Sequence, residues 1–288
     1  MSGHLDTDEE HDDVLPGSSL KRIETDLLLE GLYLAYGFDF RHYLRSSLGR
    51  RISHRMSIEG IPTITALLEK VLHVPGFADK LLNDFSIKVT EMYRDPGFFL
   101  AFRKEVVPLL RKEPEIRIWH AGCSTGEEVY SMAILLKECG LLDRVKIYAT
   151  DMNENVIAAA KLGKFPLKRM QSFTKNYLQA GGSMEFSSYY TTDTEYAYFK
   201  SEIKNSMMFA QHNLATDRSF NEFHVILCRN VLIYFDSSLQ SRVHHLFYES
   251  LSPSGFLCLG TMESLITGRR SQYEDFNPAE RIFRKLGR

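Results

Sequence analysis

At about residue 116 the hydrophobic pattern of this chain changes period, and that change limits what each part can fold into. From about Leu20 to Val89 apolar residues return at helical spacing, with almost no strand signal. Leu27, Leu28, Leu32 and Tyr36 mark one stripe; Phe40, Leu44, Leu48, Ile52 and Met56 follow at every fourth position. Residues 63–73 and 77–85 add two short helices, parted by Pro75-Gly76. From Ile116 onward short apolar strands alternate with helices. The strands are 116–121, 145–150, 225–228 and 256–259, the last after the turn Pro253-Ser254-Gly255. The helices are 127–138, 155–162 with Gly163 at a C-cap position, and 239–250. Repeated strand–helix units make a mostly parallel sheet covered on both faces.

The expected architecture is therefore an all-helical N-terminal domain, 20–89, followed by an α/β domain, 90–288. Residues 165–209 interrupt the second pattern. After Gly181-Gly182 this stretch runs dense in aromatic residues and threonine, among them Phe186, Tyr189, Tyr196 and Phe199. That composition favours short antiparallel strands, a small β-subdomain inserted in the sheet domain. Residues 1–19 hold an acidic run and then Pro16-Gly17-Ser18-Ser19, too little apolar surface to offset ordering, so they read as a disordered acidic tail.

Charge and cysteine usage narrow the function classes. Net charge is −2, which argues against a dedicated nucleic-acid binder. Six acids and no Lys or Arg lie in the first 20 residues; without them, 35 basic and 31 acidic groups leave a body at about +4. A mildly basic body suits an acidic protein surface, and an ordinary mixed surface equally. No apolar run approaches the roughly 18 residues of a membrane helix, and the acidic start is no signal peptide. A cytoplasmic monomer is expected. Cys123, Cys139, Cys228 and Cys258 are widely spaced, so neither a disulfide nor a metal site is expected.

The chemistry concentrates at strand ends. Residues 119–128, Trp-His-Ala-Gly-Cys-Ser-Thr-Gly-Glu-Glu, form a strand, a glycine-bearing turn and a helix start. Gly122 and Gly126 let backbone approach a ligand, and the helix start offers free N–H groups. No Lys-Ser/Thr follows the last glycine, so this is not a phosphate-binding loop. Glu127 and Glu128 would repel a pyrophosphate and suit a ligand with a positive end; either could instead only complement the helix dipole. Asp151, at the carboxyl end of the second strand, is placed to hydrogen-bond ribose hydroxyls. Arg229 and Asn230 follow a buried strand where an open sheet takes its ligand, although a structural salt bridge would also explain Arg229. There is no Asp-Pro-Pro-Tyr or Asn-Pro-Pro-Tyr, the motif expected of enzymes that methylate base amino groups.

From about Leu20 to its C-terminus the chain resembles the chemotaxis-receptor glutamate methyltransferases of the CheR type. Three segments in order carry the resemblance: Thr90-Glu91-Met92-Tyr93-Arg94-Asp95; residues 123–131, Cys-Ser-Thr-Gly-Glu-Glu-Val-Tyr-Ser; and residues 228–235, Cys-Arg-Asn-Val-Leu-Ile-Tyr-Phe. The resemblance implies a Rossmann-like S-adenosylmethionine-dependent methyltransferase domain, with S-adenosylhomocysteine as product. It implies that Thr90 and Arg94 line the cofactor and methyl-transfer site, that one of Glu127 and Glu128, with Glu127 preferred, contacts the cofactor and that Asp151 holds its ribose. It places Asn213 and Leu214 beside the adenine, lets Arg229 and Asn230 complete the pocket, and sets Tyr234 facing the reacting methyl. Arg94 and Tyr234 are the catalytic candidates. Lys88 departs from the asparagine common in the family at that position. The partner implied is the Glu-rich cytoplasmic helical region of chemotaxis-type receptors. Arg41/Arg45 and Arg51/Arg55, read as i, i+4 pairs with Arg50 beside them, are candidates for docking it. Other readings stay open from the residues: an S-adenosylmethionine-binding signalling module without turnover, a methyltransferase for another acceptor, and a dinucleotide-dependent dehydrogenase.

Overall fold

The helical spacing of the first part becomes four helices, α1 (Gly17–Tyr36), α2 (Arg45–Glu59), α3 (Ile64–His73) and α4 (Phe77–Phe85). Thr63 caps α3, its hydroxyl accepting the Ala66 N–H at 3.1 Å. The structure, a computed structural model, describes residues 17–86 and 90–287. Residues 17–19 belong to α1 rather than to the acidic tail; the rest of that tail and Lys88 lie outside the described residues.

The every-fourth stripe from Phe40 to Met56 is not one helix. α2 starts only at Arg45, because Tyr43 is held extended against Phe235 and the Leu44 N–H donates to the Tyr234 carbonyl at 2.8 Å. Those bonds also place 42–48 in one compact unit with the described residues from 82 onward, the other unit being 17–41 with 49–81. Arg41 is not on α2 and makes no helical pair with Arg45. It pairs with Asp39 at 2.9 Å and Glu30 at 3.2 Å, its guanidinium over the Tyr33 ring. Arg50, Arg51 and Arg55 do lie on α2, where Arg55 pairs with Glu59 at 3.2 Å.

The second unit opens with α5 (Pro96–Ala101) and α6 (Val107–Leu110), joined by a five-residue π turn. Then come β1 (Ile116–Ala121), α7 (Glu127–Glu138), β2 (Val145–Asp151), α8 (Glu154–Leu162), β3 (Lys164–Pro166) and α9 (Met170–Gln179). They are followed by β4 (Tyr190–Thr192), β5 (Tyr196–Phe199), α10 (Ser201–Lys204), β6 (Met207–Gln211) and β7 (Phe223–Cys228). The chain ends with α11 (Ser237–Ser250), β8 (Leu251–Leu259), β9 (Tyr273–Asn277) and β10 (Ile282–Lys285). Seven strands form one sheet in the order β6-β2-β1-β7-β8-β10-β9, parallel except at β10. Pleat alternation along β1 sends Ile118 and Trp119 to opposite faces, each into its own apolar cluster. Among the described residues no helix is long and apolar enough to cross a membrane.

Two features of the sheet differ from the sequence expectation. The turn Pro253-Ser254-Gly255 sits inside β8 as an irregularity, with Ser254 at φ 61, rather than before a separate strand. The inserted subdomain is a three-stranded antiparallel sheet, β3-β5-β4, so it runs from 164 to 199; β6, expected within it, pairs with β2 in the large sheet. The aromatic density also concealed α9, which buries Met170, Phe173 and Tyr177 at helical spacing.

The order of strands matters for the site. From β1 the chain builds outward through β2 and β6, then returns to the other side of β1 with β7 and β8. The carboxyl ends of β1 and β7 therefore flank the point where the winding reverses, and there open α/β sheets bind ligands.

Candidate functional site

The turn after β1 is held by neighbouring backbone. The N–H groups of Gly122 and Cys123 both donate to the Thr150 carbonyl at 2.8 Å, and the Ser124 N–H donates to Asp151 Oδ2 at 3.0 Å. Gly122 has φ 81, and a Cβ there would lie 2.7 Å from Val231 Cγ2. The glycine thus admits a protein side chain from the loop after β7, not only a ligand. Asp151 Oδ1 accepts the Asn153 N–H at 3.1 Å. Burial raises the Asp151 carboxyl above its ordinary value, against the backbone donors that lower it. No cation pairs with Asp151 among the described residues, so a lone pair remains for a neutral donor such as a hydroxyl. The His212 N–H donates to the Asp151 carbonyl at 3.1 Å, bringing the segment after β6 beside it. There Asn213 Oδ1 accepts the Ala215 N–H at 3.0 Å, and Leu214 is buried in the cluster around Trp119.

Glu127 and Glu128 open α7 and face different partners. Glu127 is 1% exposed; its Oε1 accepts from Arg169 at 2.7 Å and its Oε2 from the Thr125 hydroxyl at 2.6 Å. Burial raises its carboxyl above the ordinary value despite these donors. Glu128 accepts from Arg229 at 2.9 Å and lies 3.0 Å from His120 Nδ1. Burial alone would raise Glu128, but the His120 hydrogen bond and the Arg229 charge bring it below the ordinary value.

Arg229 and Arg169 together hold the segment 90–95. Arg229, its side chain 1% exposed, reaches Asp95 Oδ2 at 2.8 Å and the Arg94 carbonyl at 3.3 Å, with its guanidinium over the Phe98 ring. Arg169 donates to the Thr90 carbonyl, and Asn176 Nδ2 donates to the Met92 carbonyl at 3.0 Å. The Tyr93 N–H donates to Ser131 Oγ at 2.9 Å, and that hydroxyl donates to the Glu127 carbonyl at 2.7 Å. Thr90 and Arg94 are half-buried. Six non-glycine residues among those described have positive φ, and four of them, Tyr93, Asp95, Ser124 and Asn230, lie in these loops. Strained backbone of that kind persists where surrounding contacts over-determine it, and it collects at functional sites.

The loop after β7 completes the arrangement. Asn230 is held at φ 63 with its N–H on Glu263 Oε2 at 2.9 Å. Tyr234, half-buried in the one-turn helix Leu232–Tyr234, packs on the α11 side of the sheet. The structure thus joins Thr90 to Glu127 through Arg169, Arg94 to Arg229, and Asp151 to the turn and the 211–214 segment. Sequence reasoning gave no role to Arg169, His120 or Glu263, and offered Asp95 only as a salt-bridge partner for Arg94, where the structure pairs it with Arg229. Glu263 carried a usable signal, an acid shortly after an apolar strand, as Asp151 is; Arg169 in the insertion carried none.

Comparison with known proteins agrees with this geometry. Residues 23–86 match the family described as CheR methyltransferase, all-alpha domain, and residues 88–281 match CheR methyltransferase, SAM binding domain. The Pseudomonas putida protein Cher3, a methyltransferase by name, is 49% identical over 264 residues, covering 91% of this chain and 97% of its own. A chemotaxis protein methyltransferase of Listeria monocytogenes is 25% identical over 80% of this chain and 86% of its own. Chemotaxis protein methyltransferase 1 of Pseudomonas aeruginosa is 28% identical over 78% and 83%.

Proposed function

As the chain belongs to the CheR methyltransferase family, we propose that it methylates glutamate side-chain carboxylates on the cytoplasmic helical region of chemotaxis-type receptors, acting as a cytoplasmic monomer and leaving methyl esters. The chain is an S-adenosylmethionine-dependent methyltransferase of this family. The observation that carries the proposal is the His120–Glu128–Arg229–Asp95 chain. It fastens the loop bearing Arg94 to the carboxyl ends of β1 and β7.

The residues fit the cofactor. Asp151, half-buried without a cation and with a lone pair to spare, suits a ribose hydroxyl. Glu127 offers negative charge close to the turn. Bound S-adenosylmethionine supplies an electrophilic methyl on a sulfonium. On transfer that methyl would leave sulfur, which would keep the bonding electrons, for a carboxylate oxygen, so that ester and thioether would both be neutral. A glutamate is already ionised at pH 7, so no general base is required. The work left to the chain is orientation, worth roughly 7–11 kcal/mol. Arg94 is proposed to orient a carboxylate through its planar fork, and Tyr234 to face the methyl through its oxygen. Thr90, Glu127, Asp151, Asn213, Leu214, Arg229 and Asn230 are proposed to shape the cofactor pocket. For Arg229 the role is indirect, since its guanidinium is committed to Glu128 and Asp95.

Calorimetric titration with S-adenosylhomocysteine is the first test. One-to-one binding is expected, weakened at least tenfold by Asp151→Ala and without a counterpart for NAD. Ester chemistry is tested next with isotopically labelled methyl and a receptor cytoplasmic fragment. Label released as methanol by mild alkali supports the reading, and alkali-stable label overturns it.

A further inference from the structure

We infer that Glu263 is a positioning residue for the methyltransferase site, acting through Asn230; the inference rests on the reading above. Glu263 lies just beyond β8, is 5% exposed, and receives four backbone N–H groups in one carboxylate. Its Oε1 accepts from Val231 at 2.8 Å and Leu232 at 2.7 Å; its Oε2 accepts from Asn230 at 2.9 Å and Gly260 at 2.6 Å.

Three of these donors are consecutive. Asn230 is left-handed at φ 63, and Val231 is right-handed at φ −115, ψ −49. Successive residues of opposite hand turn their N–H groups to one side and make an anion-binding concavity. Here the chain fills that concavity with its own carboxylate. The left-handed conformation of Asn230, which its side-chain direction depends on, is thereby fixed from the loop after β8. Gly260 tightens the same spot, because a Cβ there would lie 2.8 Å from the Asn230 N and 2.9 Å from its Nδ2.

Glutamine tests this without changing shape. Its single oxygen can serve only one edge of the carboxylate's partners. Its NH2 then confronts N–H donors on the other, and donor meets donor. The test measures S-adenosylhomocysteine affinity and thermal melting for wild type, Glu263→Gln, Asn230→Ala, the double variant and Gly260→Ala. Glu263→Gln is expected to melt cooperatively at lower temperature and bind about tenfold to a hundredfold more weakly. In the double variant binding should be no weaker than in Asn230→Ala alone. A residue that only stabilised the fold would lower affinity in both backgrounds, so losses that multiply overturn the inference. Binding by Glu263→Gln within twofold of wild type overturns it as well. Should Glu263→Gln not fold, Gly260→Ala, whose Cβ would press on Asn230 and on Glu263 Oε2 together, must itself weaken binding; normal affinity in that folded variant counts against the idea. Wild-type protein that binds no S-adenosylhomocysteine removes the cofactor reading itself, a different result from any of these.

Discussion

The two sides of the site are built in opposite ways. The turn after β1 is fixed by backbone amides on the neighbouring Thr150 carbonyl and on Asp151, its partners lying on the adjacent strand. The 90–95 segment is fixed by guanidinium groups from far along the chain, Arg229 on Asp95 and Arg169 on Thr90. A turn that rests on strand pairing follows from the sheet. A loop that rests on buried charge depends on a few side chains, and each is exposed to single substitutions.

The strongest way to break that contrast is Arg229→Met. Glu128 and Asp95 would then lose their shared cation, and breaking a buried pair from one side costs about 3–5 kcal/mol. Urea unfolding should show a loss of that size. A loss below about 1 kcal/mol would mean that the loop is held by its packing and not by Arg229. Arg229→Lys should recover only part of the loss, because an ammonium cannot fork onto both carboxylates.

Arg169→Met sharpens the contrast with a smaller effect. Arg169 is one-third exposed, so solvent can partly replace it at Glu127 and at the Thr90 carbonyl. A loss of about 1–3 kcal/mol follows from leaving those acceptors short of a donor. Since Thr90 and Glu127 both rest on this side chain, affinity for S-adenosylhomocysteine should fall too. Unchanged affinity in the folded variant would separate the cofactor pocket from the insertion that supplies Arg169.

The same contrast explains what could be read in advance. The strands at 116–121 and 145–151, the helix at 127–138 and the Gly163 cap rest on periodicity and local backbone preference, and they were legible. So was the order of the three motifs that assemble at the switch point. Illegible were the partners: which of two adjacent acids faces which arginine is decided by the path of an insertion 40 residues away. Arg229 read first as a ligand contact and second as a salt bridge, and which acids it pairs with, Glu128 and Asp95, was not readable. Tyr43 and Leu44 looked helical because their spacing continues a stripe, yet pairing with the 234–235 backbone overrides that propensity.

Glu127 and Glu128 give the finest division between the two sides, because neighbours in sequence should carry opposite pH signatures. Burial raises the Glu127 carboxyl above the ordinary glutamate value of 4.5, so its ionised form is disfavoured by folding. Its contribution to stability is therefore fully present below the unfolded value and is lost as pH rises through the raised one. Glu127→Gln keeps an oxygen for Arg169 and an NH2 for the Thr125 hydroxyl. It should match or exceed wild type at pH 7.5 and lose that advantage toward pH 4.5. Glu128 is displaced the other way, so its contribution is present above the unfolded value and fades only as pH falls through the lowered one. Glu128→Gln should be less stable than wild type at pH 7.5, with a deficit that stays level to about pH 5 and closes only in stronger acid. Urea unfolding of both variants from pH 7.5 to 4 reads these slopes directly. Parallel slopes for the two would mean that the adjacent acids share one environment, and that the arginines do not divide the site as the hydrogen bonds indicate.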